Sequence, residues 1–222
     1  MKTIVHEDGR VLPYKVIRKS IKNTYFRVGP DGIVVSAPKL LPDVVIRGYL
    51  TDRFTMFHDR LSETERPEPE NVLSLWGQAY PFVLKKGRFR WDMTEEGIVA
   101  YATTDDATAV KRRVLKDALQ KHMETVRPAI LGRLAVLGLE ERPYRVVWLK
   151  SKYGSFHRTK DVITLNSFLA RLEPEYLFYV VMHEYAHVRV FDHSKAFYAV
   201  LDALLPGHRE IRKRLKRCAI VG

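Results

Sequence analysis

The amino-acid sequence predicts an α+β fold with a β-rich N-terminal part and a helical C-terminal part. Residues 1–103 hold short runs of Val, Ile and Tyr separated by Gly- and Pro-containing turns, a pattern typical of strands. From residue 104 onward, apolar residues recur at helical spacing over longer stretches. We therefore expect a β-rich subdomain at 1–103, packed against a helical subdomain at 104–222 that includes a small mixed sheet.

The composition is that of a globular protein and excludes several classes. The chain has 222 residues, 46% of them hydrophobic and 29% charged, which excludes a collagen-like or wholly disordered chain. Its single cysteine, Cys218, excludes an internal disulfide and a metal site built from cysteines. No apolar run approaches the roughly 18 residues of a membrane span. The charged N-terminus does not match a signal peptide, so we expect a cytoplasmic protein.

The charge balance is strongly basic. The chain has 38 Lys and Arg against 26 Asp and Glu, a net charge of +12. Such a charge favours contact with polyanions or acidic partners, including non-specific contact with nucleic acid. No recognised nucleic-acid-binding motif accompanies it, so a solvated basic surface explains the charge more simply.

Local patterns assign most of the elements, and no internal repeat is evident. Residues 63–71 are polar and contain two prolines, so we expect an exposed linker there. Pro128 should kink or split the first C-terminal helix, Gly138 should cap its end, and the chain should close on a basic tail. The expected strands are Val11–Arg18, Thr24–Val28, Ile33–Ala37, Tyr80–Leu84, Ile98–Ala102, Tyr144–Leu149 and Asp161–Leu165, and the expected helices are Asp43–Leu61, one that begins near Thr104–Asp106, Glu173–Val190 and Ser194–Leu205.

One segment carries a pattern with a chemical meaning, His183-Glu184-Tyr185-Ala186-His187. Two histidines four residues apart on a helix project from the same face, so both imidazoles can bind one metal ion. Glu184 lies about 100° further round the helix, where it can reach a water in the open position of that metal. The preceding residues are apolar on every side, which predicts a buried helix. Buried polar side chains need partners, and a metal provides one.

A third ligand is expected at His193. On a continuous helix His193 would lie about 9 Å further along the axis than His187, so the helix must end between the two residues. Asp192 tolerates unusual backbone angles and Ser194 suits the start of another helix, so a turn there would bring His193 back to the site. The alternative third ligand is a carboxylate such as Asp202 or Glu210.

Three histidines and one glutamate predict a metal-dependent hydrolase of the zincin type. One Zn²⁺ is the expected ion, and cobalt, nickel or manganese stay open as alternatives. The activated water would attack an amide, most simply the peptide bond of a peptide or protein, with Glu184 as general base. The other interpretations of the cluster are hydrogen-bonded core histidines and a structural metal site without chemistry.

Further residues are candidates for contact with the substrate. Tyr153 and His157 are candidate donors to the oxyanion, and Tyr185 is a weaker one, although each also suits a structural role. The strand Asp161–Leu165 precedes the metal helix and, as an edge strand, would hold an extended peptide by backbone pairing.

The sequence also resembles the bacterial YgjP-like metallopeptidases, relatives of the SprT-like and WLM proteases, over about residues 14–215. The resemblance implies a zincin-like catalytic part in which His183, His187 and His193 bind metal and Glu184 is catalytic. It is carried by Ile17–Ser20, Asp31–Pro38, Trp76–Tyr80, Val162–Asn166, Tyr179–His187 and Asp192–Tyr198.

The sequence departs from the family pattern at two places. The family usually has Trp-Gly-Ser-Cys-Ser before the Leu-Asn strand, whereas this chain has Tyr-Gly-Ser-Phe-His at residues 153–157. Phe197-Tyr198 replaces the usual Phe-Trp. Two alternatives from other classes remain open: a nucleic-acid-associated protease like the SprT-like relatives, and a metal-stabilised binding module without turnover.

Overall fold

A computed structural model describes residues 1–29, 31–65, 68–218 and 220. The chain is mixed α and β, with a β-rich N-terminal part followed by a helical C-terminal part, as the sequence predicts. No helix in the described ranges has the length and apolar character needed to cross a membrane. The contacts divide the chain into two compact units, Met1–Pro67 and Glu68–Ile220.

The first unit is a four-stranded sheet with two helices. The strand order is β1-β2-β4-β3; β2 and β4 are parallel, and the two outer pairs are antiparallel. Its core is a cluster of apolar residues that includes Leu12, Ile33 and Phe54. The elements are β1 (Lys2–Val5), β2 (Val11–Lys19), β3 (Tyr25–Gly29), β4 (Gly32–Pro38), α1 (Asp43–Asp52) and α2 (Phe54–Glu65).

The single helix expected at Asp43–Leu61 is two helices: α1 ends at Asp52, Arg53 has non-helical backbone angles, and α2 begins at Phe54. The buried residues continue at intervals of three and four through this break, so the apolar pattern does not reveal it. They are Ile46, Leu50, Phe54, Phe57 and Leu61.

The second unit holds two sheets and four helices in its described residues. The first sheet has the order β5-β6-β8-β7 and the second β10-β11-β9. The elements are β5 (Val72–Leu75), β6 (Gln78–Lys86), β7 (Arg90–Thr94), β8 (Gly97–Ala102), α3 (Ala107–Ala135), β9 (Tyr144–Val147), β10 (Gly154–His157), β11 (Val162–Asn166), a 3₁₀ helix (Ser167–Arg171), α4 (Pro174–Arg189), α5 (Lys195–Leu204) and α6 (His208–Leu215).

The two four-stranded sheets repeat one topology, which corrects the expectation that the chain has no internal repeat. In each sheet the second and fourth strands in chain order, β2 with β4 and β6 with β8, are neighbours and parallel. The two outer pairs of each sheet are antiparallel. In each, the fourth strand starts on a glycine with positive φ, Gly32 at 127° and Gly97 at 125°. A β-carbon on either glycine would lie 2.4 Å from the carbonyl oxygen of a proline, Pro13 or Pro81.

Helix α3 is continuous and lies against β8, β9 and the 3₁₀ helix. Asp106 caps its start by accepting a hydrogen bond from Ala109 N at 3.0 Å. The expected split at Pro128 does not occur, since a proline removes one backbone donor while the helix keeps its buried residues on both sides. Gly138, at φ 58°, follows its end as predicted, and Leu139 N donates to Leu134 O across the turn.

The division into 1–103 and 104–222 stays a prediction, and the contacts group the chain elsewhere. Strands β5–β8 share one apolar core with α3, α4 and α5, so they belong to the second unit. The change of unit falls inside the stretch expected as a linker, where residues 66 and 67 lie outside the described residues. Glu68 is not exposed as a linker residue would be: its carboxylate accepts from Ser74 N at 2.6 Å and lies 3.1 Å from Arg171.

The three-stranded sheet borders α4. Strand β11 is central, parallel to β9 and antiparallel to β10. The expectation that Asp161–Leu165 forms an edge strand is therefore wrong. The edge strands are β9 and β10. The sequence analysis missed β10, a four-residue strand without a clear alternating pattern.

Candidate metal centre

Helix α4 presents two histidines and a glutamate from a buried segment. The helix begins at Pro174, which lacks the N–H that a first-turn residue does not need. Nine of its residues are buried, Glu184 among them with 5% of its surface exposed, while His183 and His187 are partly exposed. The all-round apolar pattern thus predicted a buried helix correctly, and the polar exceptions in it mark the site.

His193 joins these two histidines through a turn after α4. The helix ends at Arg189, Val190 is extended, and α5 starts at Lys195. The Asp192 carboxylate accepts from Ser194 N at 3.3 Å and stabilises the turn. Ser194 occupies the cap position of α5 as expected, although its side chain makes no capping hydrogen bond.

The three histidines converge. One ring nitrogen of each lies within 4.8 Å of the others, and His193 Nε2 is 3.2 Å from His183 Nε2. The buried ring of Phe197 contacts all three imidazoles, with centroid distances of 4.5–5.0 Å. Phe197 therefore forms an apolar support beneath the cluster.

The donor set fits a divalent metal ion. Two nitrogens bound to one tetrahedral zinc at about 2.0–2.1 Å lie about 3.3 Å apart, close to the separation of His183 and His193. His187 Nδ1 lies 3.2 Å from Val190 O, so a proton there leaves Nε2 as the ligand atom. His193 Nε2 and His183 Nε2 can share a hydrogen bond only if one of them carries a proton, whereas a metal ion would accept a lone pair from both.

The electrostatics keep these rings in the form that binds metal. Burial, together with the neighbouring rings of His187 and His193, lowers the pKa of His183 to about 3. Burial also lowers the pKa of His187. Both imidazoles are therefore neutral at neutral pH, and neutral imidazole is the metal-binding form.

The side chain of Glu184 extends from α4 and lies against strand β10. Burial raises the pKa of its carboxyl to about 7, while a hydrogen bond from the backbone N–H of Phe156 and the charge of Lys152 act in the opposite direction. A β-carbon on Gly154 would lie 2.9 Å from Glu184 Oε1, so the absence of a side chain at residue 154 makes room for this carboxylate.

The register of β10 explains why Phe156 reaches Glu184. In an antiparallel ladder, alternate residues direct their N–H and C=O groups to opposite sides. Tyr153 O accepts from Asn166 N at 2.7 Å, so residues 153, 155 and 157 face β11. Gly154 and Phe156 then direct their backbone groups away from β11, towards α4.

Asn166 holds the loop that leads into β10. It is fully buried, and its side-chain amide donates to Leu149 O and Lys152 O at 2.8 and 2.9 Å. Its side-chain oxygen accepts from the N–H groups of Leu149 and Phe168. A buried amide with all its polar groups satisfied fixes the loop backbone firmly. The sequence analysis quoted Asn166 only as part of a motif and did not identify this role.

The candidate oxyanion donors differ in their surroundings. Tyr153 lines the same cavity as His183 and Glu184, but its hydroxyl donates to Cys218 O at 2.7 Å. His157 is exposed at the end of β10, and its Nδ1 accepts from Lys160 N. The Tyr185 hydroxyl accepts from Arg142 N at 3.0 Å.

The alternative third ligands have other contacts. Asp202 lies 3.0 Å from Nε2 of the buried His208 and 3.5 Å from Arg209. Glu210 is an exposed residue in the first turn of α6, a helix that the sequence analysis treated as part of a basic tail. Among the described residues, the cluster able to hold a metal consists of His183, His187 and His193.

A comparison with protein-family models assigns the chain to a family. The sequence profile described as YgjP-like, metallopeptidase domain, matches residues 22–218. The chain belongs to the YgjP-like metallopeptidase family. The match spans most of the chain, including α4 and the turn to His193, so the resemblance inferred from the motifs is confirmed. A YgjP-like domain is expected to use a metal, and the three converging histidines are its candidate ligands.

Two solved structures are similar to part of this YgjP-like chain. One is the metallopeptidase zymogen abylysin of Pyrococcus abyssi, with 26% identity and a TM-score of 0.36, covering 43% of this chain and 99% of that one. The other is the metallopeptidase zymogen jannalysin of Methanocaldococcus jannaschii, with 21% identity and a TM-score of 0.35, covering 41% of this chain and 91% of that one. The search of curated proteins found no significant match.

Proposed function

We propose that the chain is a zinc-dependent peptidase in which His183, His187 and His193 hold one Zn²⁺ and Glu184 is the general base. The observation that carries the proposal is the convergence of three imidazole nitrogens within 4.8 Å. The family match supports the reaction class. Among the described residues the cluster has no fourth protein ligand, which favours a catalytic site with an open position over a closed structural one.

The protein side of the chemistry follows from these positions. A divalent ion held by the three histidines would supply Lewis acidity for polarising water and the scissile carbonyl. Glu184 takes the proton from the attacking water and returns it to the leaving amine. The Phe156 N–H donates a hydrogen bond to the Glu184 carboxylate, and Gly154 leaves room for it. Both features position the carboxylate for the two proton transfers.

Glu184→Gln tests the role of the base. The change keeps the size of the side chain and removes its capacity to accept a proton, so hydrolysis of a peptide mixture by the zinc-loaded protein should fall at least about 100-fold. Bound zinc and melting temperature should stay within error of the wild type. Cleavage sites and rates are read by mass spectrometry.

Glu175→Gln is the matched control, because Glu175 is on the same helix and pairs with Arg214 at the surface. Its rate should equal that of the wild type. An unchanged rate in Glu184→Gln would remove Glu184 from the mechanism. Zinc-loaded wild type that cleaves no peptide would favour the binding-module alternative.

The remaining parts of the proposal concern location and partners. We place the protein in the cytoplasm, with a peptide or protein as substrate. The net charge of +12 supports non-specific contact with polyanions. A nucleic-acid-associated protease stays a prediction, and salt-dependent retention on DNA beside a poly-glutamate control tests it.

A further inference from the structure

A cavity of about 270 Å³ opens beside the three histidines. Helices α4 and α6 and the residues at the start of β10 enclose it, and His183 and Glu184 form part of its lining. Lys152 and Arg212 also line it, and we call it the basic pocket. Its position makes it a continuation of the proposed catalytic site.

Three cations line the basic pocket: Lys152 before β10, Arg212 on α6 and Lys216 directly after α6. Among the ion pairs of the described residues, neither Lys152 nor Arg212 has a carboxylate partner, and Glu184 is the one carboxylate in the described lining. Arg212 lies over the Tyr198 ring at 5.2 Å, which orients it without neutralising it. With Glu184 as the one carboxylate in the described lining, the three cations leave the pocket with a net positive charge.

The cations line the cavity together with the residues of the proposed catalytic site. Lys152 lies two residues before Gly154, which packs against Glu184, and Arg212 lines the same cavity as His183. A bound divalent ion would add to the positive charge of these cations, so the charge in this region favours an anion at neutral pH.

The remaining lining strengthens this preference. The rings of Tyr153 and Tyr179 and the side chains of Val180 and Leu215 form apolar walls. The Tyr153 hydroxyl is engaged with Cys218 O and does not compete for a ligand. Apolar walls focus an electrostatic field, so a charged ligand gains more here than on an open surface.

We infer that the basic pocket binds a carboxylate of the substrate, held between Lys152 and Arg212, so that the peptidase prefers to cleave next to an acidic group. This inference rests on the proposed function and specifies its substrate. The carboxylate comes either from an Asp or Glu side chain close to the scissile bond or from the C-terminus of the peptide. Both sources present the same group, and the experiment separates them.

The first test measures binding without turnover. Short fluorescein-labelled peptides of one neutral sequence are titrated with metal-free wild-type protein at physiological ionic strength, and anisotropy is recorded. The set comprises a neutral peptide with an amidated C-terminus, the same peptide with a free C-terminus, and amidated versions with a central Glu or a central Lys. We expect one acidic form to bind at least about tenfold more tightly than the neutral and Lys forms.

Charge reversal then locates the site. Arg212→Glu and Lys152→Glu should each abolish the acidic preference, and because they lie on different elements a folding defect in one leaves the other informative. Lys213→Glu and Lys150→Glu are the matched controls, since both are exposed neighbours outside the pocket lining. The controls should keep the preference.

Three results of these binding experiments would overturn the inferred carboxylate site. Equal binding of acidic and neutral peptides, undetectable binding of all of them, or the same loss in the two control variants overturns the inference. The last result would assign the effect to the general basic charge of the chain. The form that binds more tightly, central Glu or free C-terminus, identifies the source of the carboxylate.

Cleavage data separate this inference from the proposed function. Zinc-loaded wild type should cleave a peptide mixture with acidic residues or free C-termini enriched next to the cut. Cleavage without such enrichment overturns the pocket and leaves the peptidase intact. Tight binding of acidic peptides with no cleavage supports the pocket and overturns the peptidase.

Discussion

At the scale of single residues, the lack of a side chain at Gly154 allows β10 to lie close to α4. A β-carbon there would lie 2.8 Å from Val180 Cγ1 and 2.9 Å from Glu184 Oε1. Real β-carbons do not approach other atoms so closely, and both contacts are on a buried helix. A side chain at residue 154 must therefore displace either the strand or the carboxylate.

Gly154→Ala should lower peptide hydrolysis at least about tenfold, because a methyl group overpacks the space beside Glu184. Bound metal should stay at the wild-type level, since the three atoms nearest to the new methyl group belong to Val180 and Glu184 and not to a histidine. Gly132→Ala is the control, because nothing lies within 4 Å of a β-carbon there. Wild-type activity in Gly154→Ala would show that the position of Glu184 does not depend on this contact.

The sequence predicted the part of the site that lies on one helix. The spacing of His183 and His187 defines a helix face, and that spacing is visible in the sequence. His193 required a turn that the sequence only permitted. Lys152 and Arg212 escaped prediction because they meet the site through the tertiary fold, and a lone lysine or arginine carries no spacing signal.

At the scale of elements, the two four-stranded sheets depend on a glycine at the same place. Gly32 and Gly97 have positive φ and approach a proline carbonyl on the neighbouring parallel strand. Each follows an acidic residue and precedes Ile-Val, so the sequence does contain the signal as Asp-Gly-Ile-Val and Glu-Gly-Ile-Val. The signal is only four residues long, which is why the repeat was missed.

Gly97→Ala should destabilise the second unit by more than about 2 kcal/mol, since the new β-carbon meets a backbone oxygen as well as an unfavourable φ. Gly138→Ala, at φ 58° with nothing within 4 Å, should lose only about 1 kcal/mol from the φ alone. Urea unfolding of both variants measures the difference. Equal losses would show that the contact with Pro81 adds nothing.

Element prediction succeeded where apolar residues repeat over a long stretch and failed for short polar elements. Strand β7 is mostly exposed, β10 has no alternating pattern, and α6 buries only two residues. None of them has enough regularly spaced apolar residues to be recognised from the sequence. Tertiary contacts supply the stability that their own sequences do not indicate.

At the scale of the whole molecule, composition and core follow different boundaries. The spacing of apolar residues changes near residue 104, from short strand-like runs to helical spacing. The contacts change near residue 67, because β5–β8 contribute Leu73, Phe82 and Ile98 to the core that also contains the metal helix. A change of secondary structure is visible in the sequence, whereas the sharing of a core is not.

The central claim is that three histidines of one chain hold a divalent metal ion, and metal analysis of the purified protein tests it most directly. After zinc loading and dialysis, mass spectrometry should find about one zinc per wild-type chain and less than about 0.1 in His187→Ala, with His157→Ala matching the wild type. A wild-type chain that retains no metal, or a His187→Ala variant that retains all of it, would contradict the account.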